Sequence, residues 1–447
     1  MAIEQRTHEE IREAALRPLG PPGKRFWLLL GLLSLPVGWG VVAYAFQLTR
    51  GLGVTSLNDQ VFWGTYEATL VTFIGFSYGG AVVSAILRLT HAQWRAPITR
   101  MAEATALVTL LIGSSFAIVH LGHPERLWRL FVSPRISSPI VWDVVAINTY
   151  LLATIIFLYL PLIPDLAVVR DRAAGHVSRW QRALAGRLSL GWRGLPEQRQ
   201  QLEWGLTVMS ILIIPLAVMV HSVLSWAFAV TTRSGWHSTI FGPYFVVAAL
   251  FSGVATVILV VAAFRKAYHL EAFVGEKQIK YLSFIMLTLG LLYLYFTFSE
   301  FLTEGYPMTE ETTPVLEALL LDRYAPLFWF WLIGTGFLPI ALVAIPHTRT
   351  VPGIVLAASL VVGGMWLKRF LIVVPPLVLP LVEGGPWASY RPSWVEASII
   401  TAAAAAVPLL LLLFFRVFPI LSIHEMEEVS TVPEETLPEP TTPFRFS

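Results

Sequence analysis

The chain contains no cysteine. That excludes disulfides, cysteine-ligated iron–sulfur clusters, thiolate haem ligation and covalent haem attachment within it. Any cluster that exchanges electrons with this protein must sit on a partner. Charge is also scarce: Asp, Glu, Lys and Arg make up 13% of 447 residues, and the net charge is +2. No metal site and no nucleic-acid partner are expected. The first 25 residues do not read as a signal peptide, because IEQRTHEEIREAALR is charged where an apolar stretch would be needed. Thr7 with Glu10 has capping-box spacing, so segment 1–25 reads as a cytoplasmic amphipathic helix at the membrane surface.

What is abundant is hydrocarbon. The chain is 55% hydrophobic, and most of this falls in runs of about 20 residues, the length that crosses a bilayer. Ten runs are evident: 26–48, 61–87, 99–121, 139–166, 204–230, 243–264, 281–301, 325–345, 352–376 and 395–416. They are spans one to ten below. Pro36, Pro215, Pro375, Pro376 and Pro408 lie inside runs, where neighbouring helices can satisfy the freed backbone. The fold class is all-α and polytopic.

Loop charges predict the orientation. Of the 31 Lys and Arg, 22 fall in one alternating set of loops and termini and seven in the other; Lys368 and Arg369 lie within span nine. The positive-inside rule puts both termini in the cytoplasm. The acidic loop after span seven (LTEGYPMTEETTPVLEALLLD) is then external. The basic loop 167–203, with Trp180 and Trp192, reads either as a lipid-headgroup binder or as a solvated linker. The tail 425–447, rich in Glu, Pro and Thr, is expected to be disordered.

A weak internal echo suggests a repeat. FSYGG (76–80) sits in span two as FSG (251–253) sits in span six, and His120 ends span three as Glu300 ends span seven. Two four-helix bundles follow, spans two to five (61–230) and six to nine (243–376), with peripheral spans at 26–48 and 395–416.

With this orientation, His120, Asp143, Glu67, His221, Glu300, Lys368 and Arg369 share the outer half of the bilayer. Glu103 is the main ionisable group toward the cytoplasm. Each charge costs roughly 2.5–3.5 kcal/mol at mid-membrane unless paired or hydrated, so such groups point to a proton or substrate site. Each also has a plainer explanation. Asp143 follows Ser138 and Pro139 and can complement a helix dipole. His120 and His221 can bond a nearby carbonyl, Lys368 and Arg369 can snorkel, and His123, before Pro124, reads as a loop residue.

A histidine and an aspartate at adjacent helix ends suit a quinol, whose two hydroxyls need proton acceptors as electrons leave. Bis-histidine haem is the competitor, but the repeated, spaced histidine pairs of four-helix cytochromes are missing.

The run ILRLTHAQWRAPITRMAEATALVTLLIGSSFAIVHLGHPERLW, followed by SPIVWDVVAINTYLLATIIFLYLPLIPDLA, resembles the NrfD or polysulfide-reductase membrane-subunit family. More narrowly, it is similar to the quinol-site membrane subunit of alternative complex III, and the ending FFRVFPILSIHEMEE agrees. The resemblance spans about residues 25–425. It implies two four-helix bundles, each flanked by a peripheral helix. It also implies an external iron–sulfur subunit, multihaem cytochromes c and a paralogous ten-span subunit as partners, besides lipid. The family's quinol-site histidine and aspartate match His120 and Asp143. Candidate neighbours are Tyr78, His123, Trp142 and Arg391. His123 stands where many relatives carry an arginine-type residue.

The sequence is therefore expected to encode a subunit that oxidises quinol (menaquinol is compatible) at the external face and binds no haem or cluster of its own. Candidates for a proton path are Glu67, Glu103, His221, Ser225, Glu300, Lys368 and Arg369. One alternative is a quinone-reducing anchor of a polysulfide- or nitrite-reductase-type complex. The other is a secondary transporter or proton conduit without quinone.

Overall fold

A computed structural model describes residues 7–172, 177–231, 233–380 and 385–431. Among these residues the regular structure is helical, with no strand. Ten helices have the length and hydropathy to cross a membrane: Lys24–Arg50, Thr65–Leu89, Gln93–Val119, Pro139–Asp171, Pro196–Ala229, Phe241–Ala267, Glu276–Gly305, Ala325–Ala344, Val351–Val378 and Trp394–Phe415. They match the ten runs read from the sequence. Pro36, Pro215, Pro375, Pro376 and Pro408 all lie inside helices. Span eight contains a π-helical stretch, Leu332–Phe337.

Burial separates central from peripheral spans. In span two, 89% of the most apolar window is buried within the protein; in span one the figure is 11%. Both are uniformly apolar, so only packing reveals which faces lipid. Span two packs on spans three, five, six and nine, and span six on spans two, five, seven and nine. The two echoed glycine motifs meet where spans two and six cross. A Cβ on Gly79 would collide with the Gly253 backbone, and one on Gly253 with Gly79. Small residues here let the two backbones touch.

Spans one and ten pair with each other, and span ten also packs on span three. Trp39 Nε1 donates to Ser398 Oγ at 2.9 Å. This corrects the expectation of one peripheral helix per bundle: the two outer helices bury their small residues, Gly40 against Ala402, in one shared seam.

The termini are also tied down. His8–Leu16 is helical, with Thr7 and Glu10 forming the expected capping box. Its apolar face (Ile11, Ala14, Ala15) is buried, and it packs on a C-terminal helix, Ile423–Thr431. Disorder from Glu425 onward is thus corrected for residues 425–431. Burial lifts the Glu425 carboxyl, but Arg95 and Arg88 outweigh it and hold it down at about 2. Glu425 accepts from Arg88 Nη2, and from Arg95 Nη1 at 2.7 Å. Asp165 caps the helix start, accepting the His424 N–H at 2.9 Å. Residues 432–447 lie outside the described set. The basic loop likewise contains a helix, Arg179–Leu188, capped by Ser178 and Gln181.

Candidate functional site

Span three ends at Val119, and His120 is its C-cap. Span two begins at Thr65, which puts Glu67 in its first turn at the same end of the molecule. The two side chains meet: His120 Nδ1 lies 3.6 Å from Glu67 Oε2, with side chains 18% and 12% exposed. On the other side of the ring, His120 Nε2 is 3.0 Å from the Phe62 carbonyl. A carbonyl only accepts, so Nε2 carries a proton and Nδ1 is the ring nitrogen that faces Glu67.

Asp143 stands near the start of span four. It lies within electrostatic range of Glu67. Its Oδ1 is buried and meets no hydrogen-bond donor among the described residues. A carboxylate serving the helix N-terminus would accept a backbone N–H. Asp143 Oδ1 does not, which weakens the capping explanation. A buried acceptor without a donor is costly and calls for a further reason.

The other sequence candidates divide among three places. Tyr78 is not beside His120; it is fully buried with His221. Its hydroxyl donates to the Ala217 carbonyl and accepts the His221 N–H at 3.2 Å, and the two rings are 4.4 Å apart. Arg369 approaches the same spot from span nine, donating to Ser252 Oγ at 3.3 Å and to the Met365 carbonyl at 3.1 Å. Ser225 donates to its own helix at Ser222. In the second half, Lys368 Nζ is 3.5 Å from Glu300 Oε2. Its ammonium sits 4.7 Å from the Trp331 ring and 5.2 Å from that of Phe301. It is caged rather than snorkelling.

At the opposite end, Ser84 Oγ donates to Glu103 at 3.3 Å, and Arg100 is 3.9 Å from Glu103 and 2.8 Å from Asp165. Arg100, Glu103 and Asp165 are all buried. The sequence reading named Glu103 as the main ionisable group at this end, and Arg100 and Asp165 join it as a buried pair. Linear depth assigns Arg100 and Asp165 to the loop side and cannot show that they fold inward as a pair.

Two expected neighbours of His120 point elsewhere. His123 is 64% exposed and pairs with Glu125 at 2.8 Å. Arg391 is exposed, and its carbonyl accepts from Ser56 Oγ. Trp142 is beside Asp143 in sequence and donates to the Ile136 carbonyl. Conversely, sequence reasoning misses Glu396. It is fully buried, accepting from Thr65 Oγ1 at 3.1 Å, from Tyr390 Oη, and from the backbone N–H groups of Ser56 and Ser393, each at 2.9 Å. Its signal is the S-x-x-E capping box Ser393–Glu396. Gln47 is missed too; it bridges Tyr66 Oη at 2.6 Å and the Val119 carbonyl at 2.8 Å, bracing the end of span three.

A cavity of about 500 Å³ lies between spans seven and eight, lined by residues such as Leu294, Phe298, Phe328 and Leu332. Its lining is almost wholly apolar and holds no carboxylate, histidine or lysine.

Comparison with known proteins agrees with this architecture. Residues 53–380 match the family model "Polysulphide reductase, NrfD". The chain is 28% identical over 350 residues to a dimethyl sulfoxide reductase membrane subunit of Halobacterium salinarum, covering 78% of this chain and 76% of that one. It is 22% identical over 427 residues to the menaquinone reductase integral membrane subunit of Nitratidesulfovibrio vulgaris, covering 89% and 92%. It is 23% identical over 409 residues to the Hdr-like menaquinol oxidoreductase integral membrane subunit of Archaeoglobus fulgidus, covering 86% and 92%. With a family model matched over most of its length and ten membrane-spanning helices to carry it, the chain belongs to the NrfD polysulphide reductase family of integral membrane proteins.

Proposed function

We propose that this chain is the quinone-binding membrane subunit of an electron-transfer complex, and that it oxidises quinol at the end of the molecule bearing His120. The observation that carries this reading is the pairing of His120 Nδ1 with Glu67, together with a buried Asp143 Oδ1 that meets no donor and lies in electrostatic range of Glu67. A quinol loses two protons and two electrons on becoming quinone. One hydroxyl proton passes to His120 Nδ1, where Glu67 stabilises the imidazolium. The other passes to Asp143. Both electrons leave the chain, which has no thiolate to hold a cluster, for an iron–sulfur centre on a partner protein. Multihaem cytochromes c would carry them onward.

The menaquinone- and menaquinol-named relatives support a quinone substrate, menaquinone among them. On this reading the complex is of the alternative complex III type. Spans two to five and six to nine form two four-helix bundles meeting along spans two and six, with spans one and ten outside them. Both termini are cytoplasmic, in a bacterial inner membrane, and the His120 end is external. Protons then move through the bundles by way of buried groups, with Glu67, Glu103, His221, Ser225, Glu300, Lys368 and Arg369 as candidates.

A second reading reverses the flow, and the reductase names among the relatives favour it: quinone would be reduced with electrons delivered by a partner. Quinol:acceptor assays on the purified complex decide. His120→Ala and Asp143→Asn should abolish quinol oxidation while the complex still assembles. Full turnover in both variants would defeat the assignment, and activity only with a reduced donor and quinone would select the second reading.

A further inference from the structure

Of the 27 residues of span one, only Gly40, Ala43 and Gln47 are buried. Gly40 packs on Ala402 in the seam with span ten. Gln47 is the polar member of the three. A buried amide is costly unless both of its ends are bonded. Both are, and neither bond serves the seam. Nε2 donates to the Val119 carbonyl at 2.8 Å, and Oε1 accepts from Tyr66 Oη at 2.6 Å. The task needs a donor and an acceptor on one side chain, which leucine lacks and an ionised glutamate cannot offer.

The two residues that Gln47 joins are telling. Val119 directly precedes His120, and Tyr66 directly precedes Glu67. The Val119 carbonyl is one of the helix-end carbonyls that lack a partner within their own helix. Tyr66 is fully buried, and its ring meets Phe116 of span three edge-on at 6.0 Å. One side chain thus ties together the two helix ends from which His120 and Glu67 project, 3.6 Å apart. The other outer helix holds the same turn one residue earlier. Thr65 Oγ1 donates to Glu396 of span ten at 3.1 Å, and the Thr65 N–H donates to Tyr390 Oη at 2.9 Å.

We propose that Gln47 is a positioning residue for the His120–Glu67 pair. Resting on the quinol reading above, it sets the distance at which Glu67 stabilises the imidazolium that forms when His120 takes the quinol proton. Gln47 touches neither ring nor carboxylate and acts through the residue before each. Spans one and ten then serve as a clamp on the first turn of span two, in addition to facing lipid.

The test uses the assembled, detergent-purified complex and two readouts. One is steady-state quinol turnover. The other is deuterium exchange at the imidazole C2 carbon of His120 as a function of pH, read by peptide mass spectrometry, which needs no quinol. Gln47→Leu should lower kcat about 10- to 100-fold with KM little changed, the cost of a misplaced but intact pair. It should also shift the His120 titration in the same direction as Glu67→Gln. Tyr66→Phe removes one of the two bonds and keeps Gln47; it should show the same changes to a smaller extent, and it decides if Gln47→Leu does not assemble. In the Glu67→Gln background, Gln47→Leu should alter neither kcat nor the titration further, because groups that act as a unit are not additive. Ser398→Ala breaks the Trp39 bond between the same outer helices without touching residue 66 or 119, and should match wild type. Additive losses in the double variant, a His120 titration unmoved by both Gln47→Leu and Tyr66→Phe, or an equal loss in Ser398→Ala overturns the proposal. Full turnover in Glu67→Gln would sink the quinol reading alone, and the exchange measurement would still decide the role of Gln47.

Discussion

His120 Nδ1 faces Glu67 Oε2 at 3.6 Å while its Nε2 is committed to the Phe62 carbonyl. One nitrogen orients the ring and the other is free to take a proton beside a carboxylate. If that proton comes from quinol, Glu67→Gln removes the charge that stabilises the imidazolium but keeps the shape. Quinol oxidation should fall by about 10²–10⁴-fold, the usual range for losing a general base. Steady-state turnover of the assembled complex checks this, and a change confined to KM would argue against proton acceptance.

Asp143 separates function from stability. Its buried Oδ1 accepts no hydrogen bond among the described residues, so no structural partner is orphaned when it is neutralised. Asp143→Asn should leave the thermal midpoint unchanged or raised while turnover is lost. A large drop in midpoint would mean that the carboxylate is structural after all.

Glu425 should make the fold acid-sensitive. Its carboxyl is held down at about 2 in the folded protein and returns to the ordinary range near 4.5 on unfolding. A depressed pKa stabilises above the unfolded value and is lost as pH falls through the folded one. Stability from this latch is therefore complete at pH 7 and drains between about pH 5 and 2, with a magnitude on the order of 3 kcal/mol. Glu425→Gln should loosen the C-terminal helix at pH 7, seen as faster proteolysis after span ten, and should flatten the acid dependence.

Gly79 tests the crossing of spans two and six. Valine there would press on the Gly253 backbone, which cannot move aside as a side chain could. Overpacking of this kind costs about 1–3 kcal/mol or more, and Gly79→Val should lower the yield of folded protein in detergent. Gly38→Val, on a face where a Cβ meets nothing within 4 Å, should be neutral.

Asp165→Asn takes from the fully buried Arg100 its nearer carboxylate, at 2.8 Å, and leaves it Glu103 at 3.9 Å. Breaking a buried pair from one side costs about 3–5 kcal/mol. The thermal midpoint should fall sharply, and Asp165→Asn with Arg100→Met should recover part of it.

The ten helices follow from residue order alone, because a run of about 20 apolar residues has few other stable states in a bilayer. The sequence also singled out His120, Asp143 and Glu67, because ionisable groups at membrane depth are conspicuous against hydrocarbon. The capping box at Thr7–Glu10 was legible too, since it obeys local spacing; the same spacing at Ser393–Glu396 passed unread. Partner choice was not legible. Spans two and six are apolar all round, and no periodicity tells which neighbour each face meets. Helix packing joined His120 to Glu67, set Tyr78 beside His221 instead of beside His120, folded Arg100 onto Asp165, and drew the first residues of the acidic tail into a buried latch. The reason is physical: hydrophobicity specifies depth in the membrane, whereas pairing depends on rotation about each helix axis, and side-chain packing between helices settles that rotation.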